Sequence, residues 1–280
     1  MSRPRLSFSF RCLALLNCLL VLLLAVGLSA CGEKRTALMD AVKQRGKLVA
    51  GVKYDSKPFG YLDTDGQLKG FDIDMMHELA KRILGDSNAV EFQQVLSSTR
   101  VIAINSGSVD VVAATMTITP DREKVVDFSK TYFTAHQAVI VPISSPVKKL
   151  DDLQGKTILF VMGTTSERNI RSRLAQAKYI GFKTSTDAFS ALKAGRGEAM
   201  TTDDTILSGF LADTCGFRPL TERLSDEPYG LGFRQDPDSS TISLRQRVDR
   251  ELAAMEKDGT LDSLKRKWVD AAFQSKPCPQ

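Results

Sequence analysis

Short apolar runs rich in Val, Ile and Leu recur along the chain and alternate with stretches of helical spacing. Leu48–Lys53, Val90–Val95 and Val109–Ala114 read as buried strands. Between the first two, Met76, Leu79, Ala80 and Ile83 mark one buried face of a helix that Gly85 ends, with Asp72 as its N-cap and Met75 and Met76 as core filler. Ser97 or Ser98 caps the next helix, whose apolar face is Val101, Ile102 and Ile104 and which Gly107 ends. Tyr61 to Leu68, turning at Asp63-Thr64-Asp65-Gly66, reads as a hairpin. The order β-α-β-α-β predicts a sheet with helices on its faces.

Composition shifts at Pro142 and Pro146, after a strand at Ala138–Val141, and a second α/β pattern begins. Thr157–Val161 and Glu198–Thr202 are its strands; Glu167–Ala175, Asp187–Ala194 and Thr205–Leu211 are its helices. Tyr229–Phe233 reads as a strand returning to the first unit, and amphipathic helices at Leu244–Lys257 and Leu261–Trp268 follow. Two α/β units joined by two extended crossings predict two lobes with a cleft between them, a setting that suits small molecules.

Candidate chemistry gathers where strands end and helices begin. Thr115 and Thr117 follow the strand at 109–114, and Thr119-Pro120 reads as N-cap and first helical residue. Arg122 then falls in a first helical turn, as does Arg100, where the helix dipole disfavours a cation. An anionic ligand would explain Arg122; so would a salt bridge to an ordinary protein carboxylate. Lys53, Arg100, Thr115, Thr117 and Arg122 share the edge of an open sheet at which ligands bind. Gly163-Thr164-Thr165-Ser166 is either a second anion-facing loop or a plain helix cap, and it lacks the ending of a P-loop. One of Asp203 and Asp204 can cap the helix that follows, leaving the other for an ammonium group; both capping or solvated is the alternative.

The first 30 of the 280 residues differ from the rest. Arg3, Arg5 and Arg11 precede an apolar run from Cys12 to Val26, and Leu28-Ser29-Ala30-Cys31 closes it, which reads as a secretory signal. The closing residues resemble the bacterial lipobox, and this implies lipid on Cys31 and a membrane anchored, extracytoplasmic protein. Without the signal the formal charge falls from +5 to about +2, since three arginines and no acids leave with it. There is no basic stripe with interleaved aromatics to suggest nucleic acid, and no second apolar run near the ~20 residues of a membrane span. Cys215 and Cys278 are left to form one disulfide or to remain two thiols. His77 and His136 are the only histidines, one on a helix surface and one near the crossings. With no His/Cys/Asp metal spacing and no Ser/His/Asp arrangement, neither enzyme nor cofactor chemistry is expected.

Three motifs then carry a family resemblance: Gly70-Phe71-Asp72-Ile73-Asp74, Thr115 to Arg122 with Asp127-Phe128-Ser129, and Gly259-Thr260 followed by Lys267-Trp268. The chain resembles bacterial extracytoplasmic solute-binding proteins of the polar amino-acid family, the receptors of ABC importers, and within it the glutamate/aspartate receptors. That resemblance implies a two-lobed α/β periplasmic-binding-protein fold of type II, with a two-strand hinge. Residues 1–30 would be the signal, 31–46 a tether, 47–136 with 228–280 the large lobe and 137–227 the small lobe. It further implies a monomer that hands glutamate or aspartate to an ABC permease. Arg122 would grip the α-carboxylate with Thr117 and Thr115. Asp203 would hold the ammonium, Lys53 and Arg100 would face the side chain, and Thr164 and Thr165 would close from the other lobe. Glutamine receptors of the family carry an acid near the Lys53 position, and a glutamine receptor is the alternative; an exported dehydratase-like enzyme on the same fold is a further one.

Overall fold

The computed structural model describes residues 38–235 and 242–273, all within one compact unit. The signal segment, Cys31 and Cys278 lie outside the described residues. In chain order the elements begin with α1 (Leu38–Arg45), β1 (Leu48–Val52), β2 (Asp55–Ser56), β3 (Gly60–Leu62), β4 (Leu68–Lys69) and α2 (Phe71–Leu84). They continue with β5 (Val90–Gln94), α3 (Arg100–Asn105), β6 (Val111–Ala113), α4 (Pro120–Glu123), β7 (Val126–Phe128) and β8 (Phe133–Pro142). Then come β9 (Thr157–Val161), α5 (Thr165–Arg173), β10 (Lys178–Phe182), α6 (Ser185–Lys193), β11 (Ala199–Asp203), α7 (Asp204–Asp213) and β12 (Phe217–Pro219). The last are β13 (Asp226–Tyr229), β14 (Gly232–Arg234), α8 (Ile242–Lys257), α9 (Thr260–Lys265), a π-helical turn at Arg266–Asp270 and α10 (Ala271–Phe273).

Two sheets define the lobes. One has the strand order β5-β1-β6-β14-β7, with β1, β5 and β6 parallel. The other has the order β10-β9-β11-β8-β12, with β9, β10 and β11 parallel. The inner parallel strands β1, β6, β9 and β11 are short and buried because helices cover their faces, whereas the outer parallel strands β5 and β10 are more exposed. Ten-residue β8 serves both lobes. Its first half pairs with β13 (Phe133↔Tyr229, Ala135↔Glu227) and its second half with β11 and β12. The lobe boundary expected at 227/228 falls inside this β8–β13 ladder, and the one expected at 136/137 falls at its end.

An aromatic knot sits under the crossing. Phe59 lies 5.2 Å from Phe133 and 5.3 Å from Tyr229, both edge-on, and Phe71 stacks on Tyr132 at 6.0 Å. Each such contact adds roughly 0.5–1.5 kcal/mol beyond its burial. In the first turn of α2, Asp74 Oδ2 accepts from Trp268 Nε1 at 2.8 Å, and Lys267 Nζ lies 2.7 Å from the same oxygen. The chain's last helical turns are thereby fastened to the start of α2.

Several local expectations need correction. Gly70, not Asp72, is the N-cap of α2; Asp72 is fully buried and accepts bonds from elsewhere. The N-cap of α3 is Thr99 rather than Ser97 or Ser98, and Ile102 is 69% exposed instead of belonging to a buried face. Strand β10 was not anticipated, because Lys178-Tyr179-Ile180-Gly181-Phe182 has neither a clean alternation nor a continuous apolar run. Thr119 does cap α4, accepting from the Arg122 N–H at 3.3 Å, with Pro120 first in the helix.

Gly70 has φ +133°, and a Cβ there would collide with the Phe59 carbonyl. We expect Gly70→Ala to lower stability by at least about 2 kcal/mol, read as a lower denaturant midpoint at unchanged m-value.

Candidate functional site

The C-terminal ends of both sets of parallel strands converge on one tight cavity of about 20 Å³, room for little more than a water molecule as the lobes stand. Lys53 follows β1, Ser97 follows β5, and Thr115 and Thr117 follow β6; Arg100 opens α3. From the other lobe come Thr164 and Thr165 at the start of α5, Ser185 at the start of α6, and Thr202 and Asp203 at the end of β11. The structure thus brings together seven of the eight ligand-binding residues named from sequence. Arg122 is the eighth, and it is not part of that lining.

Arg122 is held between the lobes. Its Nη1 donates to the Thr117 carbonyl at 2.7 Å and its Nη2 to the Gly163 carbonyl at 3.1 Å, so its bonds go to backbone, and neither reading from sequence covered this. Burial lowers its pKa, opposed by the nearby carboxylates of Glu227 and Asp203.

Lys53, 1% exposed, is already paired: its Nζ lies 3.1 Å from Asp55 Oδ1 and 3.3 Å from Ser97 Oγ. Asp55 Oδ2 accepts the Ser185 N–H across the cleft at 2.6 Å. Burial depresses the Lys53 pKa against the pull of Asp55. Arg100 donates to the carbonyls of Ala114 (2.5 Å) and Thr115 (3.3 Å), while its buried Nε has no protein partner. Its pKa is lowered to about 9, by burial first and by Arg122 second.

Thr115 supplies one of those carbonyls from a strained backbone, at φ +46°. Its N–H reaches Asp72 Oδ2 at 3.3 Å, and Asp72 Oδ1 accepts the Tyr132 hydroxyl at 2.9 Å. The buried acid of the Gly-Phe-Asp motif therefore braces the turn that positions Arg100. Burial pushes Asp72 up to about 7, with Arg100 among the groups opposing this.

Asp203 accepts a short hydrogen bond from the Tyr229 hydroxyl and is raised to about 7, chiefly by burial and next by the charge of Glu227. It occupies the N-cap position of α7 without capping it, whereas Asp204 Oδ1 takes the Thr205 and His136 N–H groups. Of the two alternatives for this pair, Asp203 is the one left facing the cavity.

Glu227, on β13 and 1% exposed, was not singled out from sequence. One of its oxygens, Oε2, accepts hydroxyls from Thr117 (2.7 Å) and Thr165 (2.6 Å), one from each lobe. The other, Oε1, accepts from Ser225 Oγ (2.5 Å) and Asn169 Nδ2 (3.4 Å). A hydroxyl has one proton, so both threonines spend theirs on the carboxylate and keep only lone pairs for any other partner. Those lone pairs suit an ammonium, not the carboxylate assigned to Thr117 from sequence. A signal for Asp55 existed, two residues after Lys53; Glu227 had none beyond being an acid in a strand.

The histidines stand outside this cavity. His77 Nδ1 is 2.6 Å from the Ser87 carbonyl, and His136 lies 3.3 Å from Asp204 and 3.4 Å from Asp226. Among the described residues no group of His, Cys, Asp or Glu could hold a metal ion, and no helix is long and apolar enough to cross a membrane. Cys215 is disulfide-bonded, and the other four cysteines lie outside the described residues.

The sequence profile of the bacterial extracellular solute-binding proteins, family 3, matches residues 48–271. The chain belongs to this family. As a solute-binding protein it is 36% identical over 269 residues to the ABC transporter glutamine-binding protein GlnH of Bacillus subtilis, covering 92% of this chain and 96% of that protein. It is 42% identical over 211 residues to the glutamine-binding protein of Geobacillus stearothermophilus, covering 75% and 80%. The solute receptor for L-cysteine of Neisseria gonorrhoeae superposes on it with a TM-score of 0.80 at 31% identity, covering 86% of this chain and 97% of that one.

Gly163 marks how tightly the lobes of this solute-binding protein approach: a Cβ there would stand 2.7 Å from Ser98 Cα and 2.8 Å from its nitrogen, both backbone atoms of the opposite lobe. Gly163→Ala should wedge the lobes apart and weaken ligand binding by roughly tenfold or more, while far-UV circular dichroism stays that of the parent.

Proposed function

We propose that this protein captures a polar α-amino acid with an uncharged amide side chain, glutamine, by closing its two lobes over it, and delivers it to the permease of an ABC importer. The carrying observation is the Lys53–Asp55 ion pair. An acidic ligand was expected because two cations, Lys53 and Arg100, were seen from sequence. Lys53 is neutralised within its own segment, and Asp55 places an acid near the Lys53 position, where the resemblance gives glutamine receptors one.

The charge balance of the cleft points the same way. Lys53, Arg100 and Arg122 are set against Asp55, Asp72, Asp203 and Glu227. A zwitterion with a neutral side chain adds no net charge to that set. A second ligand carboxylate would be buried beside Asp55, where Lys53 is already paired and only Arg100 could meet it, so part of its desolvation cost would go unanswered. The glutamine-binding relatives support this reading. In it, Asp203 and the Thr117 and Thr165 hydroxyl oxygens receive the ammonium, Arg122 shifts from its carbonyls to the α-carboxylate, and Arg100 and Lys53 with Asp55 meet the amide. Residues 1–30 would export the chain and lipid on Cys31 would anchor it.

Calorimetry on ligand-stripped protein with glutamine, glutamate, aspartate and arginine tests the proposal. Glutamine should bind at least about tenfold more tightly than glutamate, and Asp55→Asn should narrow or invert that ratio by freeing Lys53. Preference for glutamate in the parent protein would restore the acidic-ligand reading.

A pH series supplies a separate check. Asp203, pushed up to about 7 by burial, must ionise to meet an ammonium. Affinity should therefore rise by up to about tenfold per unit from pH 5 to pH 7 and then level off. A profile flat across that range would remove Asp203 from the ammonium site.

A further inference from the structure

The amino-acid reading leaves Glu227 without a task, although it is a fully buried carboxylate that receives four hydrogen bonds. Its Oε2 takes the Thr117 hydroxyl from the large lobe and the Thr165 hydroxyl from the small lobe, and both threonines line the cavity. We propose that Glu227 is the positioning residue that turns these two hydroxyls into acceptors for the ligand's ammonium, and that it completes this subsite only when the lobes meet. This rests on the amino-acid reading above.

The argument is one of proton count. Free to rotate, each threonine hydroxyl could donate toward the ligand or accept from it. A carboxylate accepts only, so contact with Oε2 fixes the direction at both residues. Thr165 opens α5 on one lobe and Thr117 lies between β6 and α4 on the other, so one oxygen can take both only in the closed arrangement. Oε1 is held by Ser225 and Asn169 of the small-lobe side, which keeps the carboxylate from swinging into the cavity itself. The charge of Glu227 also faces Arg122 and Asp203. Ligand closure and ammonium recognition would thus be one event.

The test compares glutamine with its deaminated analogue, 4-carbamoylbutanoate, by calorimetry at pH 8 on the full mature chain. Glu227→Met keeps side-chain length and removes the anionic acceptor. Its glutamine affinity should fall roughly ten- to hundredfold, the worth of a hydrogen bond to a charged group, while the analogue changes far less. Thr165→Val, with Glu227 in place, should show the same selective loss, and Thr165→Ser should restore discrimination; these two serve even if the Glu227 variant does not fold. Equal weakening of both ligands in Thr165→Val, or no weakening, would overturn the proposal while leaving the amino-acid reading intact. Failure of the parent to bind any α-amino acid would overturn both.

Discussion

Charge cannot be buried in this molecule without a partner close at hand, and the cleft is built around that constraint. Three cations and four carboxylates sit within one small space, and leaving any one of them unpaired would cost several kcal/mol. Each is met from a neighbouring segment: Lys53 by Asp55, Asp72 by Tyr132 and Thr115, Arg122 by two carbonyls with Glu227 and Asp203 near, Asp203 by Tyr229. Arg100 is the exception, with its Nε bare of protein acceptors. The strained Thr115, the close approach of Gly163 and the short parallel strands all place these groups at the distances the balance needs.

Rim contacts between the lobes are of another kind. Lys57 to Asp213 (2.6 Å) and Arg168 to Asp121 (3.2 Å) join the lobes at the surface, where water and salt reduce such pairs to about 0–1 kcal/mol. The hold between the lobes therefore lies in the dry interior, in the hydroxyls on Glu227, the Asp55 bond to Ser185 and the Arg122 bond to Gly163.

Much of the fold was legible because local chemistry and tertiary need agree. Apolar runs became β1, β6, β9 and β11, and Thr119-Pro120 opened a helix. Candidate residues were legible wherever a polar group stood just past a strand, since the edge of a parallel sheet is defined by the run preceding it. Partners were harder. Asp55, Asp72 and Glu227 act on residues 2, 43 and 110 positions away, and no periodicity encodes the second and third of these. The acidic-ligand expectation has its origin here: it counted cations visible at strand ends and not the carboxylates that answer them. Ile102 failed differently, as an apolar residue at helical spacing on a helix of six residues that buries only one side.

The β8–β13 ladder has a consequence for how the chain could have been assembled. Ala135 and Glu227 are register partners, so everything between them leaves and returns through neighbouring backbone positions some 5 Å apart. A segment whose ends nearly touch can be inserted or exchanged as a cassette with little disturbance to its host sheet. Loops at the ends of β9 and β11 could in that way be replaced wholesale, while Lys53, Asp55 and Arg100 stay behind in the host.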